Sequence, residues 1–228
     1  MSVARFGGRF RDRRDAGRQL AVQLEHYRER PGVIVLGLLR GGVVVAAEIA
    51  RELALPLEVI ICRKIGAPEN PELAIGAVAE GGGAYLNEES LESTGASPSY
   101  VKSAIDRQQA EITRRQKLFR GGRSLCLPPE STTLVVDDGI ATGATVMAAI
   151  RTLRRSGVAR IVVAVPVAPS DTVELLRPLV EQVIVLWAPV SFWAVGVFYD
   201  DFAQVSDEEV CDVLAKSEAE RRRLVPAS

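Results

Sequence analysis

The chain has 228 residues, a net charge of −1 from 28 Lys and Arg against 29 Asp and Glu, and 47% hydrophobic residues. That length suits one α/β domain with a sizeable core, and the balanced charge gives no argument for nucleic acid or an anionic membrane surface. The single histidine, His26, reads as a spectator on a helix, which argues against Ser-His or Cys-His nucleophile chemistry. No apolar run approaches the roughly 20 residues of a membrane span, and the arginine-rich start lacks the apolar stretch of a secretory signal. Cys62, Cys126 and Cys211 are odd in number and fit no metal-ligand spacing, so they read as reduced thiols of a cytoplasmic protein.

In chain order, residues 12–28 read as a helix capped by Asp12, with Ala16, Leu20, Leu24 and Tyr27 on one face. A strand follows at 33–38, then a Gly-Leu-Leu-Arg-Gly-Gly turn, and a helix at about 43–53. Residues 57–62 read as a strand ending on Arg63 and Lys64, and 66–73 as a breaker-rich loop. Residues 74–80 and 84–87 form a hairpin across three glycines. A long helix runs from about 97 to 119, stopped by Gly121 and Gly122; its interleaved charges make it a solvated helix or dimer contact. Strands recur at 133–136, 160–165 and 182–187, with helices at 145–155 and about 171–180. This alternation predicts an α/β fold: a mostly parallel twisted sheet flanked by helices.

The most informative segment is 133–145, Thr-Leu-Val-Val-Asp-Asp-Gly-Ile-Ala-Thr-Gly-Ala-Thr. An apolar strand delivers Asp137 and Asp138 at its carboxyl end, where open α/β sheets bind ligands. Gly139 and Gly143 permit a tight loop, Thr142 and Thr145 add hydroxyls, and a helix N-terminus follows with unpaired N–H groups suited to phosphate. Carboxylates repel phosphate, so the two acids should face hydroxyls or a metal. A phosphorylated ribose with its vicinal diol satisfies both halves. The Gly-Lys-Ser/Thr ending of a Walker A loop is absent. An ordinary strand–turn–helix with an acidic turn is the bland alternative.

The segment resembles the phosphoribosyl pyrophosphate (PRPP) motif of type I phosphoribosyltransferases. The resemblance implies that fold, with a core at about 30–188, a hood from about 1–15 and 189–214, and a helical insertion at about 97–120, all in one domain. It implies that Asp137 and Asp138 hold the ribose hydroxyls. Gly139, Ile140, Ala141, Thr142, Gly143, Ala144 and Thr145 complete the PRPP loop, and Asp138 is also a candidate for proton transfer.

Leu39, Arg40 and Gly41 lie in a second strand-to-helix turn, where glycines let backbone N–H groups approach an anion and Arg40 adds a fixed charge. The family's pyrophosphate loop occupies the corresponding place, with a non-proline cis peptide in several members, and the resemblance implies unusual backbone near Leu39 and Arg40. The stretch ending in Arg63 and Lys64 resembles the Arg-Lys pair before the mobile lid of adenine and orotate phosphoribosyltransferases, and a solvated pair is the alternative. Arg40 and Lys64 are thereby expected to stabilise the departing pyrophosphate, with Arg63 beside them.

Aromatics concentrate in 191–202 although the chain is only 5% aromatic, and rings offer stacking faces to a heterocycle. The order there is similar to the C-terminal segment of hypoxanthine-type enzymes. It implies Trp193 and Phe192 as base contacts and Asp200 as an outer partner of Mg²⁺; aromatics that simply cap the core are the alternative. Two departures matter. Ala141 stands where 6-oxopurine enzymes carry an acid, and 165–170 lacks their lysine. The pattern is nearer the adenine and orotate enzymes, with the acceptor unassigned.

The expected function is Mg²⁺-dependent transfer of phosphoribosyl from PRPP to a base, with release of pyrophosphate, by a cytoplasmic homodimer without nucleic-acid or membrane partners. The alternative is a non-catalytic PRPP or nucleotide sensor with the same fold.

Overall fold

The computed structural model describes residues 8–224. The first seven residues of the expected hood lie outside the described residues. In chain order the elements are α1 (Arg13–Gln23), β1 (Val33–Leu38), α2 (Gly41–Leu53), β2 (Leu57–Ile60), β3 (Cys62–Gly66), β4 (Ala74–Ala79) and β5 (Ala84–Leu86). There follow α3 (Glu88–Thr94), α4 (Pro98–Arg120), β6 (Thr132–Val136), α5 (Ala144–Arg155), β7 (Arg160–Val167), α6 (Ser170–Leu176), β8 (Gln182–Trp187) and α7 (Asp207–Leu224).

These elements fall into two compact units, with the chain crossing at 59/60, 127/128, 141/142 and 157/158. The first unit carries a five-stranded sheet in the order β2-β1-β6-β7-β8. The pairs β1–β6, β6–β7 and β7–β8 are parallel, with Leu36 opposite Val135 and Val135 opposite Val163. Its inner strands read as near-continuous apolar runs because both faces are covered. Leu20 and Leu24, at the end of α1, pack with Ile49 and Leu53 of α2 in the fully buried core. Asp12 caps α1 by accepting the Asp15 N–H at 2.7 Å, and Ala54 closes α2 in the left-handed conformation.

The terminal segments of this unit pair through their backbones. The Phe10 N–H donates to the Phe198 carbonyl, and the Asp200 and Asp201 N–H groups donate to the Phe10 and Arg11 carbonyls, each at 2.9 Å. Burial of Phe10, Phe198 and Tyr199 holds this strip against the core.

The second unit holds an antiparallel sheet, β3-β4-β5, with α3, α4 and α5. Its centre is Glu80, 2% exposed. One carboxylate oxygen accepts the Ile61 N–H at 2.9 Å, and the other accepts Gln116 Nε2 at 3.0 Å and pairs with buried Arg120.

Here the structure corrects the expected strand at 57–62. The run divides at Ile61, and Arg63 and Lys64 sit inside β3, opposite Val78 and Ala77, rather than at a strand end. The apolar run contains no breaker, so no residue announces the change of sheet. The helix expected at 171–180 ends at Leu176 and continues as a 3₁₀ turn, since Pro178 has no N–H to donate. The helix expected at 12–28 likewise ends at Gln23, with a 3₁₀ turn at Glu25–Tyr27. Helices α3 and α7 are additions to the expected elements. For α3 the signals were present: Asn87 caps it by accepting the Ser90 N–H, and Gly95 stops it.

Candidate functional site

In the first unit β6 is flanked on both sides, by β1 and β7, and ends at Val136. Asp137 and Asp138 therefore emerge half-buried at the carboxyl edge of a parallel sheet. Asp137 Oδ1 accepts the backbone N–H of Asp138 at 2.9 Å. Asp138 is held at two further points. Its Oδ2 accepts Arg13 Nε at 2.7 Å, and its carbonyl accepts the Tyr199 hydroxyl at 2.5 Å. Burial, reinforced by the neighbouring Asp138 charge, pushes the Tyr199 phenol well above its ordinary pKa, so it stays a neutral donor.

The loop that follows is tied down in the same unit. Ile140 N–H donates to the Val167 carbonyl at 2.9 Å, and Thr172 Oγ1 donates to the Ala141 carbonyl at 3.2 Å. A Cβ on Gly139 would stand 2.5 Å from Val195 Cγ1, so only glycine lets the chain pass there. In the second unit Thr142 is exposed, Gly143 adopts φ 75° as the N-terminal cap of α5, and Ala144 and Thr145 form its first turn.

The second expected anion loop meets the acids inside the first unit. The Leu39–Arg40 peptide is cis, the kind of backbone expected there. A Cβ on Gly42 would lie 2.8 Å from Asp137 Cα, which measures how closely the two loops run together. Arg40 points its Nη1 to Asp207 Oδ1 at 3.7 Å, at the start of α7.

The remaining expected residues are placed as follows. In the second unit Arg63 Nε donates to Gln108 Oε1 at 3.1 Å, and Lys64 is exposed. In the first unit Trp193 is 89% exposed, while Phe192 stacks on Phe198 with centroids 5.4 Å apart. Asp200 is exposed beside Arg9 at 3.9 Å. Among the described residues no three His, Cys, Asp or Glu side chains group to hold a metal. The described residues therefore offer no cage of three such ligands for Mg²⁺.

Sequence reasoning missed Arg13, Tyr199 and Phe202. Arg13 stands 125 positions from Asp138 in the chain and is one of several arginines in its helix, so nothing local marks it. Tyr199 and Phe202 stand on either side of Asp200 and Asp201 in the sequence, in a segment whose aromatics read as a base platform.

A family model described as phosphoribosyl transferase domain matches residues 11–200. In two strains of Mycobacterium tuberculosis, a protein with a provisional phosphoribosyl transferase name is 42% identical over 208 residues, or 91% of this chain. The chain spans about half the length of these curated relatives, 47%. The crystal structure of TT1426 from Thermus thermophilus is 43% identical and superposes with a TM-score of 0.72, covering 91% of this chain and 98% of that one.

Proposed function

Because the chain belongs to the phosphoribosyl transferase family, with the type I fold, we propose that it transfers the 5-phosphoribosyl group of PRPP to a nitrogenous base. The observation that carries this reading is the meeting of two loops in one unit: the glycine turn bearing Arg40 closes directly on Asp137 and Asp138. Two carboxylates suit a vicinal diol, and a glycine turn with a cation suits the diphosphate attached to the same sugar.

In the proposed reaction a base nitrogen forms a bond to ribose C1 as the C1–oxygen bond to pyrophosphate breaks, and the bonding pair leaves with the pyrophosphate. Positive charge grows on the ring and negative charge on the leaving group. Such a reaction needs positioning and electrostatics rather than a protein nucleophile. Asp137 and Asp138 orient the ribose, and Arg40 faces the diphosphate. The roles of residues 142–145, Arg63 and Lys64, in the second unit, rest on the resemblance alone. Mg²⁺ would supply charge neutralisation at the pyrophosphate, held by substrate oxygens and water as this ion usually is. Among the described residues Asp200 stands in no cluster of three or more potential metal ligands. Ala141 and the missing lysine speak against a 6-oxopurine as the acceptor.

The test is calorimetric titration of PRPP into the wild type and an Asp137→Asn, Asp138→Asn variant, followed by pyrophosphate release with a panel of bases. Affinity unchanged within about twofold, roughly 0.4 kcal/mol, sinks the ribose assignment. Tight PRPP binding with no release for any base would instead point to a sensor.

A further inference from the structure

We propose that Arg13 is a positioning residue for this site, acting through Asp138, and that the aromatics at 199 and 202 serve as its mount. The inference rests on the ribose reading of Asp138. Arg13 reaches Asp138 Oδ2 through Nε at 2.7 Å, and its Nη1 donates to the Ala203 carbonyl at 2.7 Å. Its guanidinium lies 3.8 Å from the centroid of the Phe202 ring. The Arg13 and Asp138 side chains are 11% and 15% exposed.

A guanidinium held at a carboxylate, a carbonyl and a ring face has little rotamer freedom left, so it acts as part of the scaffold. The mount is itself packed. The Phe202 ring stands 4.9 Å from Tyr199, and Tyr199 stands 5.3 Å from Phe10. Tyr199 also holds the Asp138 carbonyl. Backbone and side chain of one acid are thus fixed by neighbours on one aromatic shelf.

Two consequences follow for a sugar phosphate. Arg13 takes Oδ2, and Oδ1 accepts no hydrogen bond among the described residues, so a single oxygen is presented to a hydroxyl. Arg13 also balances one of two adjacent carboxylates that must coexist with a bound diphosphate. In this reading the aromatic segment of the hood works on the ribose side of the site rather than on the base.

The experiment is a double-mutant cycle on Arg13→Gln and Asp138→Asn, reading PRPP affinity by calorimetry with Mg²⁺ present, and thermal melts to confirm folding. A residue that works through Asp138 loses its effect once Asp138 is changed. Arg13→Gln should weaken PRPP binding at least tenfold, Arg13→Lys should recover part of that loss, and the double variant should bind no worse than the weaker single. Should Arg13→Gln fail to fold, Phe202→Leu keeps the arginine and removes its mount; a threefold or greater loss is then expected. Arg13→Gln binding within twofold of wild type, losses that multiply in the double variant, or a Phe202→Leu affinity unchanged where it stands in, overturns this inference alone. A wild type that binds no PRPP, or Asp138→Asn that binds it normally, overturns the ribose reading and this inference with it.

Discussion

Gly41 and Asp138 share one space: an ideal Cβ on Gly41 would stand 1.8 Å from Asp138 Oδ2 and 2.7 Å from Arg13 Nε. The glycine is therefore required by a side chain 97 positions away rather than by its own backbone angles, because its φ is not in the left-handed region. Gly41→Ala must push the carboxylate out of its bond to Arg13. Overpacking of this kind costs about 1–3 kcal/mol, and here the displaced group is the one assigned to ribose. The expected outcome is a lowered melting temperature together with a PRPP affinity reduced tenfold or more. A variant that binds PRPP like the wild type would show that the carboxylate has room to move and that its position is not critical.

Arg40 is engaged by Asp207 at 3.7 Å, with side chains 28% and 21% exposed. A long, partly solvated pair of this kind is worth about 0–1 kcal/mol. An incoming pyrophosphate must take Arg40 from that partner. Asp207→Asn should therefore tighten pyrophosphate binding by up to about fivefold, the equivalent of about 1 kcal/mol. It should also cost α7 about 0.3–1 kcal/mol, through loss of an acid from its first turn. Calorimetry with inorganic pyrophosphate reads the first effect and urea denaturation the second. Weaker binding in Asp207→Asn would mean that the pair orients Arg40 rather than restrains it.

Legibility from sequence followed the range of the physical signal. Asp137, Asp138 and the turn at Leu39 to Gly41 were legible because each is a local pattern: an apolar run, a chemical change at its end, and glycines where the chain must turn. The parallel sheet was legible for the same reason. The meeting of the two loops was not, since Gly41 and Asp138 are joined only by the pairing of β1 with β6. Arg13 was hidden by distance along the chain and by its arginine neighbours. The break at Ile61 was hidden because β2 and β3 are both apolar where they join, and only pairing separates them. In the hood, aromatic content was visible, but the sequence could not tell exposed Trp193 from buried Tyr199.

Glu80 and Arg120 form a buried ion pair in the second unit, 2% and 8% exposed. Among the described residues Arg120 Nε and Nη1 are buried without a hydrogen-bond partner, so the arginine depends on Glu80. Glu80→Gln keeps the shape and leaves a buried cation uncompensated, at a cost of about 3–5 kcal/mol. Replacing both partners, Glu80→Gln with Arg120→Met, removes the stranded charge and should restore part of that loss. Urea denaturation of the three variants checks the order. If the double variant were less stable than Glu80→Gln, the pair would be contributing more than its mutual compensation.

Glu111 on α4 supplies the pH dependence. Hydrogen bonds from Arg114 and Arg115, at 2.8–2.9 Å, hold its carboxyl down to about 2 from an ordinary 4.5. A carboxylate depressed on folding stabilises the native state above its unfolded pKa and loses that contribution as the pH falls through the folded one. The window is therefore pH 4.5 down to about 2. The Glu111 and Arg114 side chains are 29% and 55% exposed, so solvent screens the pair and its worth is about 1 kcal/mol rather than the full shift. Glu111→Gln should be less stable than wild type by about that amount at neutral pH. The gap should narrow below pH 4.5, close near pH 2, and shrink in 1 M salt, where the Debye length is about 3 Å. Urea midpoints measured across this range give the test. A gap that persists undiminished at pH 2 would assign the loss to packing of the side chain instead of its charge.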